Sequence, residues 1–369
     1  MAKVTSVEVI QANLAPKVKR SDAIQSFECQ ETPIVRITDS DGVTGTGYSY
    51  TIGTGGSSVT KFLDDYLVPR LLGRDADEIE RIWRDLFFYV HSTTVGALTS
   101  IALAAIDSAL WDLRGLKTGL PLHRLAGGAK DRIECYDTEG GWIHICESQL
   151  VEEAIRAKEE GFGGAKIKVG KPHVSEDVRR LSAVRDKVGH EWEIMIDANQ
   201  GFSLNEAIRR ARAYEDLDIA WFEEPIHADD VLAHRQLAAS TSVPIAVGES
   251  LYSASQFKDY LQSGACSIVQ VDVGRVGGIT PWLKVAHMAE AFNVPVCPHF
   301  LMELHLGLCC AVPNSRYLEY IPQLDLVTSK GIRVEKGMAI AAEEPGNGIE
   351  WDWDALDRHV VHRKLHSSS

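Results

Sequence analysis

Three carboxylates recur in the second half of the chain at intervals typical of one strand plus one helix. Asp197, Glu223 and Glu249 each follow a short apolar run. Carboxylates that converge repel one another unless a hard cation lies between them, and Mg²⁺ prefers oxygen ligands. The spacing therefore predicts a magnesium site that the carboxylate of a substrate completes. For any one of these residues, the alternative is a surface acid that is solvated or paired with a lysine.

Two lysines, Lys166 and Lys168, lie two residues apart in an apolar run that precedes these carboxylates. On a strand this spacing points both side chains to one face. Two ammonium groups near a metal disfavour each other's charged form, so we predict that one lysine is neutral and basic near pH 7. The alternative is a pair on a surface strand, although Ile167 and Val169 indicate that the opposite face is packed.

An aspartate and a histidine end two further successive runs. Asp272 and His299 are expected to meet, because neighbouring strands bring the carboxylate to the imidazole. Such an aspartate fixes the tautomer of the histidine and raises its basicity. We predict that His299 is a second acid or base of the site, and the alternative is a hydrogen-bonded core histidine. Glu319, which ends a weaker run, is predicted to hydrogen-bond a substrate oxygen.

The elements that must position these residues are short apolar runs that alternate with amphipathic stretches from about residue 131. This alternation is typical of βα units around a parallel sheet. In a barrel of parallel strands the active site lies at the carboxyl ends of the strands, so one face should collect the ionisable run ends, including Asp137. The runs are 133–136, 165–169, 194–196, 219–222, 244–247, 268–271, 294–297 and, more weakly, 317–318.

The N-terminal part has a different pattern. Segments 4–11, 32–40 and 43–49 alternate like strands, with a hairpin-turn signal at 39–42. Helical spacing follows over 98–117, where Gly119 and Pro121 end the helix. These segments predict an α+β unit that closes near residue 125. The Gly-rich segment 51–58 is predicted to be a mobile loop near the site, and segment 274–278 a strand-to-helix turn.

Composition indicates the broad class of protein. The 369 residues are 45% hydrophobic and 24% charged, as in soluble globular proteins. The net charge of −14 comes without clustered Lys and Arg, so nucleic acid is not an expected partner. The seven cysteines show no Cys-x-x-Cys spacing and are expected to be reduced core residues of a cytoplasmic protein. Neither a signal-peptide pattern nor a membrane-spanning apolar run occurs, so no membrane association is expected.

With these residues in place, nearly the whole sequence resembles the enolase superfamily and, within it, the mandelate racemase subgroup. Residues 105–112 are similar to a helix of that family's capping domain, and segments 135–138, 164–170, 176–181 and 298–303 resemble acid-sugar dehydratases of the talarate/galactarate type. The resemblance implies an α/β fold, a modified TIM barrel of the (β/α)7β type, over residues 128–329. It also implies an N-terminal α+β capping domain over 1–127, completed by a C-terminal segment at about 330–369.

The resemblance also implies roles for individual residues. It implies a base at Lys168 assisted by Lys166, with Glu319 as a glutamic acid that donates to the substrate carboxylate. Asn199, Tyr50 and Thr138 are predicted to bind substrate. The implied magnesium ligands are the three carboxylates named first, and the implied second base is the Asp272/His299 dyad.

The predicted reaction is magnesium-dependent abstraction of the proton α to a carboxylate, followed by elimination of water. The substrate is predicted to be a sugar acid, an aldarate or an aldonate, and the product a 2-keto-3-deoxy acid. The first alternative is a racemase or epimerase of a 2-hydroxy acid that uses the same Lys/His pair. The second is a non-catalytic metal-binding barrel. A small-molecule carboxylate is the expected ligand, and analogy with the family favours a homo-oligomer.

Overall fold

The computed structural model describes residues 2–367, and its N-terminal part is an antiparallel sheet covered by helices. Its elements are β1 (Val4–Leu14), β2 (Arg20–Ser21), β3 (Ser26–Phe27), β4 (Gln30–Asp39), β5 (Thr44–Tyr48), β6 (Thr51–Ile52), α1 (Gly56–Phe62), α2 (Ile79–Tyr89), α3 (Ala97–Thr118) and α4 (Leu122–Leu125). The segment 51–58 is not a loop throughout, because it contains β6, which pairs with β4, and the start of α1. Its mobility stays a prediction.

Alternation along the strands builds the core of this capping domain. Val7 and Val9 of β1 are fully buried and pack in one cluster with residues of α3. Helix α3 lies so close to β5 that a Cβ at Gly47 would overlap the helix backbone. The helix ends at Gly119, whose φ of 69° lies in the left-handed region that glycine adopts without strain.

The rest of the chain up to residue 320 alternates strands and helices. These are β7 (Arg132–Asp137), α5 (Glu147–Glu159), β8 (Gly164–Lys168), α6 (Val174–Val188), β9 (Glu193–Asp197), α7 (Leu204–Tyr214), β10 (Ile219–Glu223), α8 (Val231–Ala238), β11 (Ile245–Val247), α9 (Ala254–Ser263), β12 (Ile268–Val269), α10 (Ile279–Ala291), α11 (Met302–Ala311) and β13 (Leu318–Tyr320). Segment 274–278 is the turn that leads from β12 into α10.

The strands close into a barrel. Strands β12 to β7 pair side by side, and β13 pairs in parallel with β7. Isolated bridges from Val296 to Val269 and to Ser315 supply one more strand position between β12 and β13. Eight strand positions with seven intervening helices make a (β/α)7β barrel, which confirms the predicted fold.

Aromatic side chains fill the barrel interior beneath the strand ends. The ring centroid of Trp221 lies 5.3 Å from that of Tyr136 and 6.4 Å from that of Tyr317. Side chains alternate along a strand, so the next interior position after Trp221 is Glu223, and the next after Tyr136 is Thr138. The aromatic layer therefore forms a floor, and polar residues lie above it at the carboxyl ends of the strands.

The C-terminal segment is shared between the two domains. It consists of β14 (Arg333–Glu335), β15 (Met338–Ile340), α12 (Trp353–Asp357) and β16 (Val360–Ser367). Strand β16 pairs with β1 in the capping sheet, whereas β15 pairs with β7 of the barrel. The predicted completion of the capping domain from about residue 330 therefore needs correction, because the hairpin at 333–340 extends the barrel sheet.

Helix α3 docks on the amino end of barrel helix α10. The carboxylate of Asp107 accepts hydrogen bonds from the Thr280 backbone N–H at 2.8 Å and the Thr280 hydroxyl at 2.7 Å. Trp111 Nε1 donates to the same hydroxyl at 2.9 Å. Burial raises the pKa of Asp107 to about 7, although the Thr280 hydrogen bonds oppose the shift. This contact joins the capping domain to the turn that follows β12.

Two further predictions concern the whole chain. Within residues 2–367, no helix is long and apolar enough to cross a membrane, and the cytoplasmic location stays a prediction. All seven cysteines are free. Five are buried, but Cys29 is half-buried and Cys146 is exposed, which corrects the prediction that all lie in the core.

Candidate active site

Asp197, Glu223 and Glu249 meet above the aromatic floor. Asp197 and Glu223 are the last residues of β9 and β10 and are paired in register, and Glu249 follows β11. One oxygen from each carboxylate lies within 4.8 Å of the others, and all three residues are buried. The side-chain oxygens Glu249 Oε2 and Asn199 Oδ1 are buried without a hydrogen-bond partner. Three buried carboxylates beside the unpartnered amide oxygen of Asn199 fit a hard divalent cation.

Lys166 and Lys168 project from β8 into this cluster. Lys166 Nζ lies 2.9 Å from Glu223 Oε1 and 2.8 Å from Glu319 Oε1, and Lys168 Nζ contacts Asp197 Oδ2. Burial lowers the pKa of Lys166, but the Glu223 and Glu319 carboxylates outweigh burial and raise it well above its ordinary value.

The pKa of Lys168 is also raised, because Asp197 outweighs both burial and the charge of Lys166. Both lysines are therefore charged while they contact these carboxylates. The prediction that one lysine is neutral near pH 7 concerned lysines beside a bound magnesium, and it stays a prediction.

Asp272 and His299 form a hydrogen-bonded dyad. His299 Nδ1 lies 2.8 Å from Asp272 Oδ2, which also accepts from the Tyr50 hydroxyl at 2.6 Å. His299 Nε2 approaches Glu249 Oε2 at 2.9 Å as an ion pair, without the alignment of a hydrogen bond. Burial lowers the pKa of His299, but Glu249 and Asp272 outweigh it and raise the pKa to about 10.

Glu319 accepts three hydrogen bonds or ionic contacts. They come from Lys166 Nζ at 2.8 Å, the Thr138 hydroxyl at 2.8 Å and the Phe300 backbone N–H at 2.7 Å. Burial raises the pKa of Glu319, but Lys166 and His299 outweigh burial and lower it to about 2. Glu319 is therefore an acceptor here. The role of hydrogen donor to the substrate carboxylate, which the resemblance implied for Glu319, stays a prediction.

The predicted substrate-binding residues fall into two groups. Asn199 and Thr138 line a cavity together with both lysines, Glu249 and His299. Within residues 2–367, the side chains that line this cavity do not include Tyr50. The Tyr50 hydroxyl instead donates a hydrogen bond to Asp272. The predicted role of Tyr50 therefore needs correction from substrate contact to support of the dyad.

Asp137 also differs from its prediction. Its carboxylate accepts from the Gly140 backbone N–H at 3.2 Å and lies 3.5 Å from Arg156 Nη2. Strand alternation places Tyr136 and Thr138 inside the barrel and Asp137 outside it. The end of β7 therefore contributes Thr138 to the cavity, and Asp137 is not part of it.

Sequence reasoning missed several residues that line the cavity. Arg275 Nη1 donates to the Glu249 backbone oxygen at 2.9 Å, and its guanidinium lies 5.3 Å from the Tyr50 ring centroid. A signal was available, because Arg275 follows Asp272 by three residues within the turn into α10. The capping-domain hairpin β2–β3 adds Arg20, Asp22, Gln25 and Phe27, none of which was singled out individually from the sequence.

Family models match both domains of the chain. Residues 4–127 match the model described as mandelate racemase / muconate lactonizing enzyme, N-terminal domain. Residues 149–355 match the model described as enolase C-terminal domain-like. The two matches together cover most of the chain and fall on the capping domain and the barrel.

The chain is similar in sequence to several named enzymes. The chain is 36% identical to L-talarate/galactarate dehydratase of Salmonella typhimurium, over 86% of this chain and 79% of the relative. It is 35% identical to 3,6-anhydro-alpha-L-galactonate cycloisomerase of Streptomyces coelicolor, over 89% of this chain and 91% of the relative. It is 31% identical to L-Ala-D/L-Glu epimerase of Bacillus subtilis, again over 89% and 91%.

A crystal structure of the Salmonella dehydratase, liganded with Mg and L-lyxarohydroxamate, has a TM-score of 0.95 to this chain at 33% identity. The likeness covers 100% of this chain and 95% of that one. The magnesium in that structure and the buried carboxylate triad here identify magnesium as the cofactor.

Proposed function

Because the chain belongs to the mandelate racemase/muconate lactonizing enzyme family of the enolase superfamily, we propose that this magnesium-dependent dehydratase acts on an aldonate or an aldarate. The reaction breaks the C–H bond α to the carboxylate and the C–O bond of the β-hydroxyl. Water leaves, and the enol that remains tautomerises to a 2-keto-3-deoxy acid.

One observation carries the proposal: two groups able to exchange protons line one cavity beside the carboxylate triad. Lys168 ends β8, and His299 follows the strand position at Val296. These positions are not adjacent, because β13 and β7 lie between them. A substrate held between Lys168 and His299 therefore meets an acid or base from each of two directions. This arrangement supports proton removal by one group and protonation of the leaving hydroxyl by the other.

Asp197, Glu223 and Glu249 are the residues that would hold magnesium, which when bound acidifies the α-carbon by drawing electron density from the substrate carboxylate. Lys166, which contacts Glu223 and Glu319, is a preorganised cation for the negative charge that develops on the carboxylate oxygens. Asp272 directs the Nδ1 proton of the imidazole towards itself and leaves Nε2 to exchange a proton in the cavity.

A screen of aldonates and aldarates with magnesium, read as keto-acid formation, tests the proposal. The substitutions Lys168→Ala and His299→Asn should each lower kcat by about 10² to 10⁴, the usual contribution of general acid–base catalysis. Lys187→Ala, on the exposed face of α6, is the matched control and should leave kcat unchanged. Normal turnover in both active-site variants would exclude this mechanism.

Epimerisation is the second candidate, because the same Lys168/His299 pair can return the proton to the opposite face and one relative is an epimerase. In deuterated water, an epimerase exchanges the α-proton without forming a keto acid, whereas a dehydratase forms the keto acid. The expected homo-oligomer also stays a prediction, which light scattering of the purified enzyme would test.

A further inference from the structure

The capping domain closes the cavity with the β2–β3 hairpin. This hairpin contributes Arg20, Asp22, Gln25 and Phe27 to the lining of the cavity, and β6 contributes Ile52. The carboxylate triad and the lysines come from the barrel. A substrate whose carboxylate lies at the triad therefore meets these capping residues with its remaining carbon atoms. The charges of these capping residues determine whether the cavity favours a carboxylate or a hydroxyl group at the far end of the substrate.

Arg20 looks like a site for a second carboxylate, but its charge is already paired. The residue is 2% exposed, and its guanidinium makes a two-pronged contact with Glu139, in which Nε donates to Oε2 at 3.3 Å and Nη2 contacts Oε1. Nη1 donates to Gln323 Oε1 at 3.0 Å, and Nη2 donates to the Pro322 backbone oxygen at 2.9 Å. These partners use most of the donors of Arg20, and Glu139 offsets its charge.

The other basic side chains of the cavity lie at its metal end, beside the carboxylate triad. Within residues 2–367, each of the Lys and Arg side chains lining the cavity has a carboxylate oxygen within 3.9 Å: these are Arg20, Lys166, Lys168 and Arg275. Asp22 adds a further acceptor. Its Oδ1 accepts from the Ile24 and Gln25 backbone N–H groups at 2.8 Å each, and no group among residues 2–367 donates to its Oδ2.

At the far end of the cavity, a second substrate carboxylate would lose its hydration beside Arg20 without gaining an unpaired cation, because Glu139 already pairs with Arg20, and such burial is costly. A hydroxyl group needs no counter-charge, since it donates to one acceptor and accepts from one N–H. We infer that, given the proposed dehydratase function, the substrate is a monocarboxylic sugar acid, an aldonate, whose far end carries a hydroxyl group beside the Arg20–Glu139 pair.

The direct test compares kcat/KM for aldonate and aldarate pairs of matched stereochemistry, with magnesium present and keto acid as the readout. We expect the best aldonate to exceed its aldarate partner by at least about tenfold, the discrimination typical of an uncompensated polar group. An aldarate with equal or higher kcat/KM overturns the inference but leaves the dehydratase proposal intact. If neither class forms a keto acid, both the inference and the proposed function fail.

Glu139→Gln tests the ion pair itself. Glutamine keeps an oxygen acceptor for Arg20 but removes the negative charge, so the uncompensated guanidinium should raise the aldarate-to-aldonate ratio of kcat/KM by at least about tenfold. Glu147→Gln is the matched control, because Glu147 pairs with Arg179 at 2.8 Å on the exposed face of the barrel. Its ratio should equal that of the wild type.

An unchanged ratio in folded Glu139→Gln overturns the role of the pair. If that variant does not fold, the comparison of the two substrate classes in the wild-type enzyme still decides the inference.

Discussion

Asp272→Asn isolates the contribution of the dyad to catalysis. The Asp272 carboxylate is fully buried, and Oδ1 accepts from the Gly274 and Arg275 backbone N–H groups at 2.7 and 3.2 Å. Oδ2 faces His299 Nδ1 at 2.8 Å and the Tyr50 hydroxyl at 2.6 Å. Asparagine keeps the oxygen that holds the turn and replaces the oxygen that faces the histidine with an NH₂ donor. The imidazole must then present a bare Nδ1, so its proton moves to Nε2.

This tautomer cannot accept a proton at Nε2, and the charge that stabilises the imidazolium is lost as well. General acid–base catalysis contributes about 10² to 10⁴ in rate, so we expect kcat to fall within that range. Each tenfold loss corresponds to about 1.4 kcal/mol of activation free energy. The hydrogen bonds of Oδ1 persist, so the free energy of unfolding should fall by no more than about 1–3 kcal/mol.

The assay is kcat at saturating sugar acid and magnesium, measured with the melting temperature of each variant. Asp39→Asn is the matched control, because Asp39 is 2% exposed and its Oδ1 also accepts two backbone N–H groups, from Asp41 at 2.9 Å and Val43 at 3.1 Å. It lies in the hairpin turn of the capping domain and should leave kcat unchanged. A folded Asp272→Asn enzyme with wild-type kcat would refute the role of the dyad.

Magnesium should raise the melting temperature, since binding at 100 times Kd stabilises the folded state by about 2.7 kcal/mol. Glu223→Gln, which removes one carboxylate of the triad, should reduce this shift, as measured by calorimetry. An equal shift in the variant and the wild type would contradict magnesium binding at the triad. Lys168→Ala should lose exchange of the α-proton from one epimer of the substrate, and His299→Asn should lose it from the other. NMR in deuterated water measures this exchange, and loss from the same epimer in both variants would contradict the prediction. Between pH 3.8 and 7, folded Asp107 holds a proton that the unfolded chain releases, so stability should fall as pH rises through this window. Asp107→Asn should remove this dependence of stability on pH. A difference in melting temperature between this variant and the wild type that stays the same across the pH window would contradict the prediction.

The barrel and its metal ligands were predictable because each βα unit repeats one pattern. An apolar run marks a strand, and the ionisable residue that ends it marks the catalytic face. Parallel pairing then aligns the ends, as the register partners Lys168, Asp197 and Glu223 show. The same rule failed for Asp137, because a strand has two faces and the run at 133–136 does not indicate which of them is inside.

The capping side of the cavity could not be predicted for a different reason. Arg20 and Glu139 are 119 residues apart and belong to different domains, so no local pattern relates them. Protonation was also beyond the sequence. The pKa of Lys166 depends on Glu223 and Glu319 from two other strands, and their distances from its Nζ follow from closure of the barrel rather than from spacing along the chain.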